Sequence, residues 1–395
     1  MELKEIANLI ERNASNKVRS YRQLGKEVGV RHGTILNFIK FARKEEGGTE
    51  PSVELVCNLH YAHEGSAEDI LSTITDFVHY GLKEERLKEV IDFCYEFALF
   101  PLLYDLIDEG KESQSHRMAK FCEAYNVLAD GRRHITTWKE TNSRAQKIRS
   151  SDKLVQYIVS YIEILYFHNE IGSSTKVDVN ETFESIIRRT KKLIVDINSS
   201  PKNYITKKLI FKLNEGLMRI YVKKENHNEA REIAYTFINN SCGSRFKAAA
   251  YFSLGMSYFN SDIKMSLRYL NISAEMYKEN DFLKEYTDVR FYIELLWIIS
   301  GYKDIECIHG VNKAFMLCSQ GRYEESLNGL EGINLYGYDE MVAKMIKGII
   351  EESHVKKKDY FDDVRNFFLR LGDRNLAKLP DTVFEKFCNS VLINQ

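Results

Sequence analysis

From Val53 onward the chain repeats one pattern: segments of about 12 to 20 residues whose apolar side chains recur at helical spacing, separated by short turns of Gly, Asn, Asp or Ser. Each such segment is an amphipathic helix that has to bury its stripe against a neighbour. No stretch alternates apolar and polar residues as a half-buried strand does. Only four prolines occur in 395 residues, so little interrupts the helices. The periodicity predicts helices over 53–61, 66–78, 84–100, 114–129, 134–148, 153–170, 179–198, 203–223, 227–240, 244–260, 263–279, 282–300, 304–319, 322–333, 337–354, 358–371 and 381–393. The expected class is all-α, and many helices joined by short turns predict an α-solenoid.

The start of the chain reads differently. Glu2 to Asn13 forms an amphipathic helix with Leu3, Ile6, Ala7 and Ile10 on one side. In the stretch LGKEVGVRHGTILNFIK, Leu24, Val28, Val30, Ile35 and Ile39 are spaced to face one small core, and Gly29 breaks the period where a left-handed turn is cheap. That is a helix-turn-helix pattern, with helices at about 21–28 (Ser20 as N-cap) and 32–42. Arg31, His32, Asn37 and Lys40 then fall on the outer face of the second helix, where a recognition helix carries groups that reach base edges. Ser20, Arg22 and Lys26 would hold phosphates without reading sequence. The same spacing also suits an ordinary helical hairpin.

Charge is unevenly spread. Up to Lys44 there are ten Lys and Arg against four acids, a net of +6, which leaves −7 for the remainder of a chain whose net charge is −1. A basic head on an acidic body suits phosphate contact, and it also suits a solvated charged face. The expected organisation is a helix-turn-helix domain at 1–50, connecting helices at 51–80, a superhelix at 81–380 and a C-terminal capping and dimerisation helix at 381–395. No segment is long and apolar enough to predict a membrane span, and the start lacks a signal-peptide core, so a cytoplasmic protein is expected. Seven scattered cysteines without C-x-x-C spacing give no zinc or disulfide framework. His60 and His63 lack the further ligands of a metal site. No P-loop, G-x-G-x-x-G, H-E-x-x-H or G-x-S-x-G occurs, so neither an enzyme nor a cofactor is expected.

The solenoid carries weak repeats. A tetratricopeptide unit sets a large residue nine positions before a small one across a Gly or Asn turn. Tyr221 to Ala230, with Ala234 one turn later, and Leu317 to Ser326 fit this; Tyr258, after Leu254-Gly255 and before Ala274, fits in part, with Leu267 at the place of the small residue. The large residues stand at 221, 258 and 317, too unevenly for a strict repeat. A curved stack leaves a concave groove suited to an extended peptide. Tyr157, Tyr161, Tyr166, Phe167, Tyr251, Phe252, Tyr258 and Tyr292 recur along these helices, mostly as expected core.

A helix-turn-helix followed by degenerate tetratricopeptide repeats resembles the peptide-sensing regulators of Gram-positive bacteria and their phages, and within them the arbitrium receptor family of temperate phages. The segments that carry the resemblance are QLGKEVGVRHGTILNFI, VELVCNLHY, SRFKAAAYFSLGMSYFNSD and KMIKGIIEESHVKKKDYFDDVRNFFLRLGDRNLAKLP. The resemblance implies a homodimer that binds double-stranded operator DNA in lysis-lysogeny control and responds to a short peptide in its superhelix. It implies that Arg245 holds the peptide, as an arginine fork suits a carboxylate. It also exposes two departures, because peptide-clamping members present asparagines where this chain has Ile220 and Met256. The groove therefore reads a different peptide or has lost peptide sensing.

The dimer contact is expected at Phe384, Phe387, Val391 and Leu392, an apolar stripe that no later element follows. A competing expectation is an interaction module that no longer reads DNA or peptide and binds a partner protein. Gly33 and Leu36 on the recognition helix favour it, since Gly weakens a helix and Leu36 would be exposed.

Overall fold

The computed structural model describes residues 2–63, 66–171, 178–239, 243–280, 282–302 and 305–388, and these are all-helical, with no strand. The helices in order are α1 Leu3–Ser15, α2 Tyr21–Glu27, α3 His32–Ala42, α4 Val53–Ala62, α5 Ala67–Val78, α6 Glu84–Glu96, α7 Phe100–Lys111, α8 His116–Arg132, α9 Trp138–Ala145, α10 Lys153–Glu170, α11 Val179–Asn198, α12 Tyr204–Lys223, α13 His227–Asn239, α14 Ser244–Tyr258, α15 Ile263–Glu279, α16 Leu283–Ser300, α17 Gly310–Ser319, α18 Tyr323–Leu330, α19 Tyr338–Ile350, α20 His354–Arg370 and α21 Leu379–Phe387, with a 3-10 turn at Leu376–Lys378. They form two compact units, Met1–Phe167 with Lys192–Ile210 and His168–Lys191 with Phe211–Gln395.

In the first unit, α2 starts at a reciprocal cap: Ser20 Oγ accepts from Gln23 N, and the Gln23 side chain accepts from Ser20 N at 2.8 Å. Gly29, at φ +77°, makes the turn into α3. Gly25 is equally constrained, because a Cβ there would lie 2.7 Å from the Val30 carbonyl oxygen. Leu24, Val28, Ile35, Phe38 and Ile39 are buried with Leu3, Ile6, Ala7 and Ile10 of α1. Arg43 ties the end of α3 to α1 through Glu11 and Asn8. The head shares a continuous apolar cluster with α4 to α10 and with Tyr204 and Ile205, so the expected ranges 1–50 and 51–80 both lie inside this unit.

The helix expected over 84–100 ends early, and α7 lies where none is expected. α6 stops at Glu96, Ala98 adopts φ +56°, and α7 follows with Pro101 in its first turn, where a missing N–H breaks no helical bond. The helix expected at 134–148 begins only at Trp138, where Thr137 and Glu140 form a capping box. The helix expected at 304–319 starts at Gly310, and the one expected at 381–393 runs Leu379–Phe387.

In the second unit, consecutive helices pack as hairpins held by small residues. Ser266 Oγ donates to Gly255 O, Ser273 Oγ to Ala248 O, and Ser326 Oγ to Ala314 O. The small residue is the fourth of the second helix in α12/α13, α14/α15 and α17/α18: Ala230, Ser266 and Ser326, all buried. Leu267 is therefore not the close-packing position it was expected to be: Tyr258 is the last residue of α14, whereas Tyr221 and Leu317 stand two residues before the ends of α12 and α17, and Leu267 is half-buried beside Ser266.

A Cβ on Gly255 would stand 2.6 Å from Leu270 Cγ. Gly255→Ala should lower stability by about 1–2 kcal/mol, overpacking outweighing the helical gain. Gly33 in α3 meets nothing within 4 Å, so Gly33→Ala should raise it by about 0.5–1 kcal/mol. Urea unfolding of both variants tests the pair, and equal shifts would contradict this packing.

Candidate ligand groove and nucleic-acid interface

α3 buries Ile35, Phe38, Ile39 and Ala42, which turns Arg31, His32, Asn37 and Lys40 outward, all exposed. The helix opens at Arg31 without a side-chain cap, which leaves its N-terminal dipole facing solvent. Arg22 and Lys26 of α2 are exposed as well. Ser20 is exposed, but its hydroxyl is engaged by Gln23, accepting from the backbone and donating to Oε1 at 2.9 Å. Leu36 belongs to the same outer face, 38% exposed.

The second unit encloses a concavity of about 870 Å³, within the range of ligand pockets. One wall is α12, which presents Arg219, Ile220 and Lys223, with His168 beside them. α14 contributes Phe252 and Met256, and α16 contributes Glu285, Asp288, Phe291 and Tyr292. Residues 336–339 close another side with Tyr336, Tyr338 and Asp339. Asp373 and Leu376 come from the segment between α20 and α21.

That segment is a strap across distant helix ends. Arg374 N donates to the Lys223 carbonyl at 2.9 Å, and Asn375 Nδ2 donates to the Met256 carbonyl at 3.0 Å. Asn260 Nδ2 in turn donates to Asn375 O at 2.6 Å. Gly372, at φ +67°, lies against Phe183 and Val179, and a Cβ there would come within 2.4 Å of both. Arg374 also reaches Asn180 at 3.0 Å. Across the groove, Glu294 of α16 is fully buried and accepts from the Ile308 N–H at 2.9 Å, so it holds the start of α17 and with it His309 in the wall.

The charges divide by wall. Burial acts to raise the Glu215 carboxyl, but the guanidiniums of Arg245 and Arg219, at 3.0 and 2.8 Å, outweigh it and hold the group below its ordinary value. Burial lowers Lys223, with Asp373 opposing. Burial, aided by Lys223 and Arg219, takes His168 down to about 4, so it is a neutral imidazole at neutral pH. On the facing walls, burial raises Asp288 and Asp339. Burial raises Asp373 too, against the pull of Lys223.

Arg245 does not line the groove. It is 17% exposed, paired to Glu215 and set over the Phe246 ring at 5.2 Å. The guanidinium facing the groove is that of Arg219, whose side chain keeps 56% of its surface open although the concavity surrounds it. Sequence carried a signal for this, since Glu215, Arg219 and Lys223 recur every fourth residue on α12 and so share one face. Ile220 and Met256 do line the groove, as do Phe252 and Tyr292 among the aromatic residues singled out.

At the C-terminal end, Phe384 packs on Phe361 and His354, and Phe387 on Phe315. The stripe expected to lack a cover is thus half-covered by α17 and α20 of its own chain, because those earlier helices fold back over it. Val391 and Leu392 lie outside the described residues. His60 is fully buried, with Nε2 2.8 Å from Thr73 Oγ1. Among the described residues no group of three His, Cys, Asp or Glu could hold a metal, and no helix is long and apolar enough to cross a membrane.

Comparison with known proteins gives a consistent picture. The family described as AimR transcriptional regulator-like matches residues 74–386. No curated protein matches. Among solved structures, one described as "Structure of SeMet-phAimR" aligns with a TM-score of 0.71 at 15% identity, covering 96% of each chain. Another, "Structure of phAimR-Ligand", aligns at 0.63 and 15% identity, covering 85% of this chain and 97% of that one.

The Glu215 pair fixes what should happen on mutation. Arg245→Ala should cost about 2–3 kcal/mol of stability, because a buried carboxylate loses one of its two guanidiniums. A carboxyl held below its ordinary 4.5 contributes stability that is complete above that value and lost as pH falls through the folded one. Glu215→Gln should therefore flatten the acid limb of a stability-versus-pH curve. An unaltered limb would show that the pair contributes nothing.

Proposed function

Since this chain belongs to the AimR transcriptional regulator-like family, we propose that it binds operator DNA through α3 and that a short peptide in the groove of the second unit sets this binding, in lysis-lysogeny control. The observation that carries the DNA reading is the outward face of α3. Its polar residues match the needs of base readout: Arg31 is the N-cap and His32 the first residue of α3, and the Asn37 amide can pair with adenine through both its groups. Arg22 and Lys26 supply phosphate contacts, with Ser20 limited to what its cap leaves. One structural neighbour is described with a ligand, which supports a ligand-responsive reading. Here the anchor for the peptide carboxylate is Arg219 with Lys223, in place of Arg245.

The exposed Leu36 favours a second reading, in which this face binds a partner protein. The two separate in a titration against phage intergenic DNA at two salt concentrations. Under the DNA reading, Asn37→Ala costs about 1–3 kcal/mol at one base position, whereas Lys26→Ala weakens all sequences alike and lowers the salt slope by about one unit. Absence of any sequence preference in the unmodified protein would leave the partner-protein reading.

A homodimer suits paired half-sites, and the open faces of Phe384 and Phe387, with Val391 and Leu392, are its proposed contact. Phe384→Ser with Phe387→Ser should shift sedimentation from dimer to monomer, with the helical content retained. A variant that stays dimeric would move the interface elsewhere.

A further inference from the structure

We infer that the groove takes a peptide with a free C-terminal carboxylate whose last side chain is large and apolar, seated on Ile220, Met256 and Phe252. This deepens the peptide reading above and rests on it. The argument starts on α12. Arg219 and Lys223 are one turn apart, and Ile220 stands three residues before Lys223, so these side chains are neighbours on the helix surface. Lys223 is an ammonium whose burial is incompletely compensated, as its lowered pKa records, and Arg219 keeps over half its side-chain surface open. Together they form a seat for an anion. A carboxylate suits it, because a guanidinium fork and an ammonium can bond both oxygens.

Beside that seat the floor is apolar apart from the buried Ser253. Ile220 is 1% and Met256 5% exposed, and Phe252, one turn before Met256 on α14, continues the surface. The backbone carbonyl of Met256 is already bound by Asn375. A peptide unit laid on Ile220 and Met256 would find no side-chain amide there to bond both its N–H and C=O, whereas an aliphatic or aromatic side chain loses nothing. In a terminal residue the carboxylate and side chain leave the same Cα, so an acid group on Arg219 and Lys223 delivers that side chain to Ile220 and Met256. The opposite wall fixes direction. Glu285, Asp288 and Asp339 would repel a carboxylate, whereas on the α12 side the single groove-lining acid, Asp373, is set against two cations, Arg219 and Lys223, and this is the end where the peptide stops.

The test uses the full-length protein and pools of pentapeptides, random at four positions, with Leu, Phe, Ala, Ser or Lys last, each pool made as free acid and as C-terminal amide. Retention on immobilised protein is read by mass spectrometry. The inference expects Leu- and Phe-ended acids to be retained about tenfold over Ala- and Ser-ended ones, and amidation to remove about as much. Met256→Asn should erase the preference for Leu over Ser. Lys223→Met, a change of similar length at a half-buried site, should instead erase the preference for acid over amide while keeping that for Leu. Circular dichroism checks that both variants fold. Equal retention of Ser-ended and Leu-ended acids, or of acids and amides, overturns the inference and leaves the peptide reading intact. If no pool is retained, the peptide reading itself falls, and this inference with it.

Discussion

Every helix leaves unbonded N–H groups at its start and unbonded carbonyls at its end, and a stack of helices multiplies that debt with each hairpin. In the second unit much of it is met by groups arriving from far along the chain. The Lys223 carbonyl at the end of α12 is bonded by Arg374 N, and the Met256 carbonyl near the end of α14 by Asn375. Glu294, wholly buried in α16, bonds the N–H groups that begin α17. These are sites where an unmet group would cost far more than a met one gains. The groove depends on them, because the residues that close the helix ends are the same residues, or neighbours of those, that line it.

How much of this could be read from residues alone follows the range of each interaction. Ser20 with Gln23, Gly29 and the Ile35 to Ile39 stripe are local signals, and α2 and α3 lie where those signals put them. Ala98 at positive φ is not a residue that announces a turn, so the apolar period carries α6 on to residue 100 and predicts no helix at α7, which has Pro101 in its first turn. Arg245 lies away from the groove for a different reason. Its partner Glu215 lies thirty residues earlier on another helix, and only packing shows that the pair turns Arg245 inward and leaves Arg219 to the groove. The strap was illegible altogether, since Asn375 meets Asn260 across 115 residues of sequence.

The groove also illustrates how a concavity acquires polarity from an all-helical scaffold. Neither wall is strongly charged by composition, but burial raises the carboxyls of Asp288 and Asp339 on one side and lowers Lys223 on the other. Each group is held at some cost in its charged form, and each would be relieved by a ligand of opposite sign. Family membership accounts for the fold that presents these walls. The particular residues on them, Ile220 and Met256 included, belong to this chain's own chemistry.

The strap has a consequence in time as well as in space. Protein synthesis proceeds from the N-terminus, and domains fold as their residues become available. Helices α12 to α16 can assemble early, yet Asp373 and Leu376, which complete the wall, and Asn375, which bonds the end of α14, leave the ribosome only after α20. A nascent chain stopped short of them has helices but an open groove. The concavity is thus closed only after α20 has been made, because the contact of Asn375 with Met256 spans 119 residues of chain.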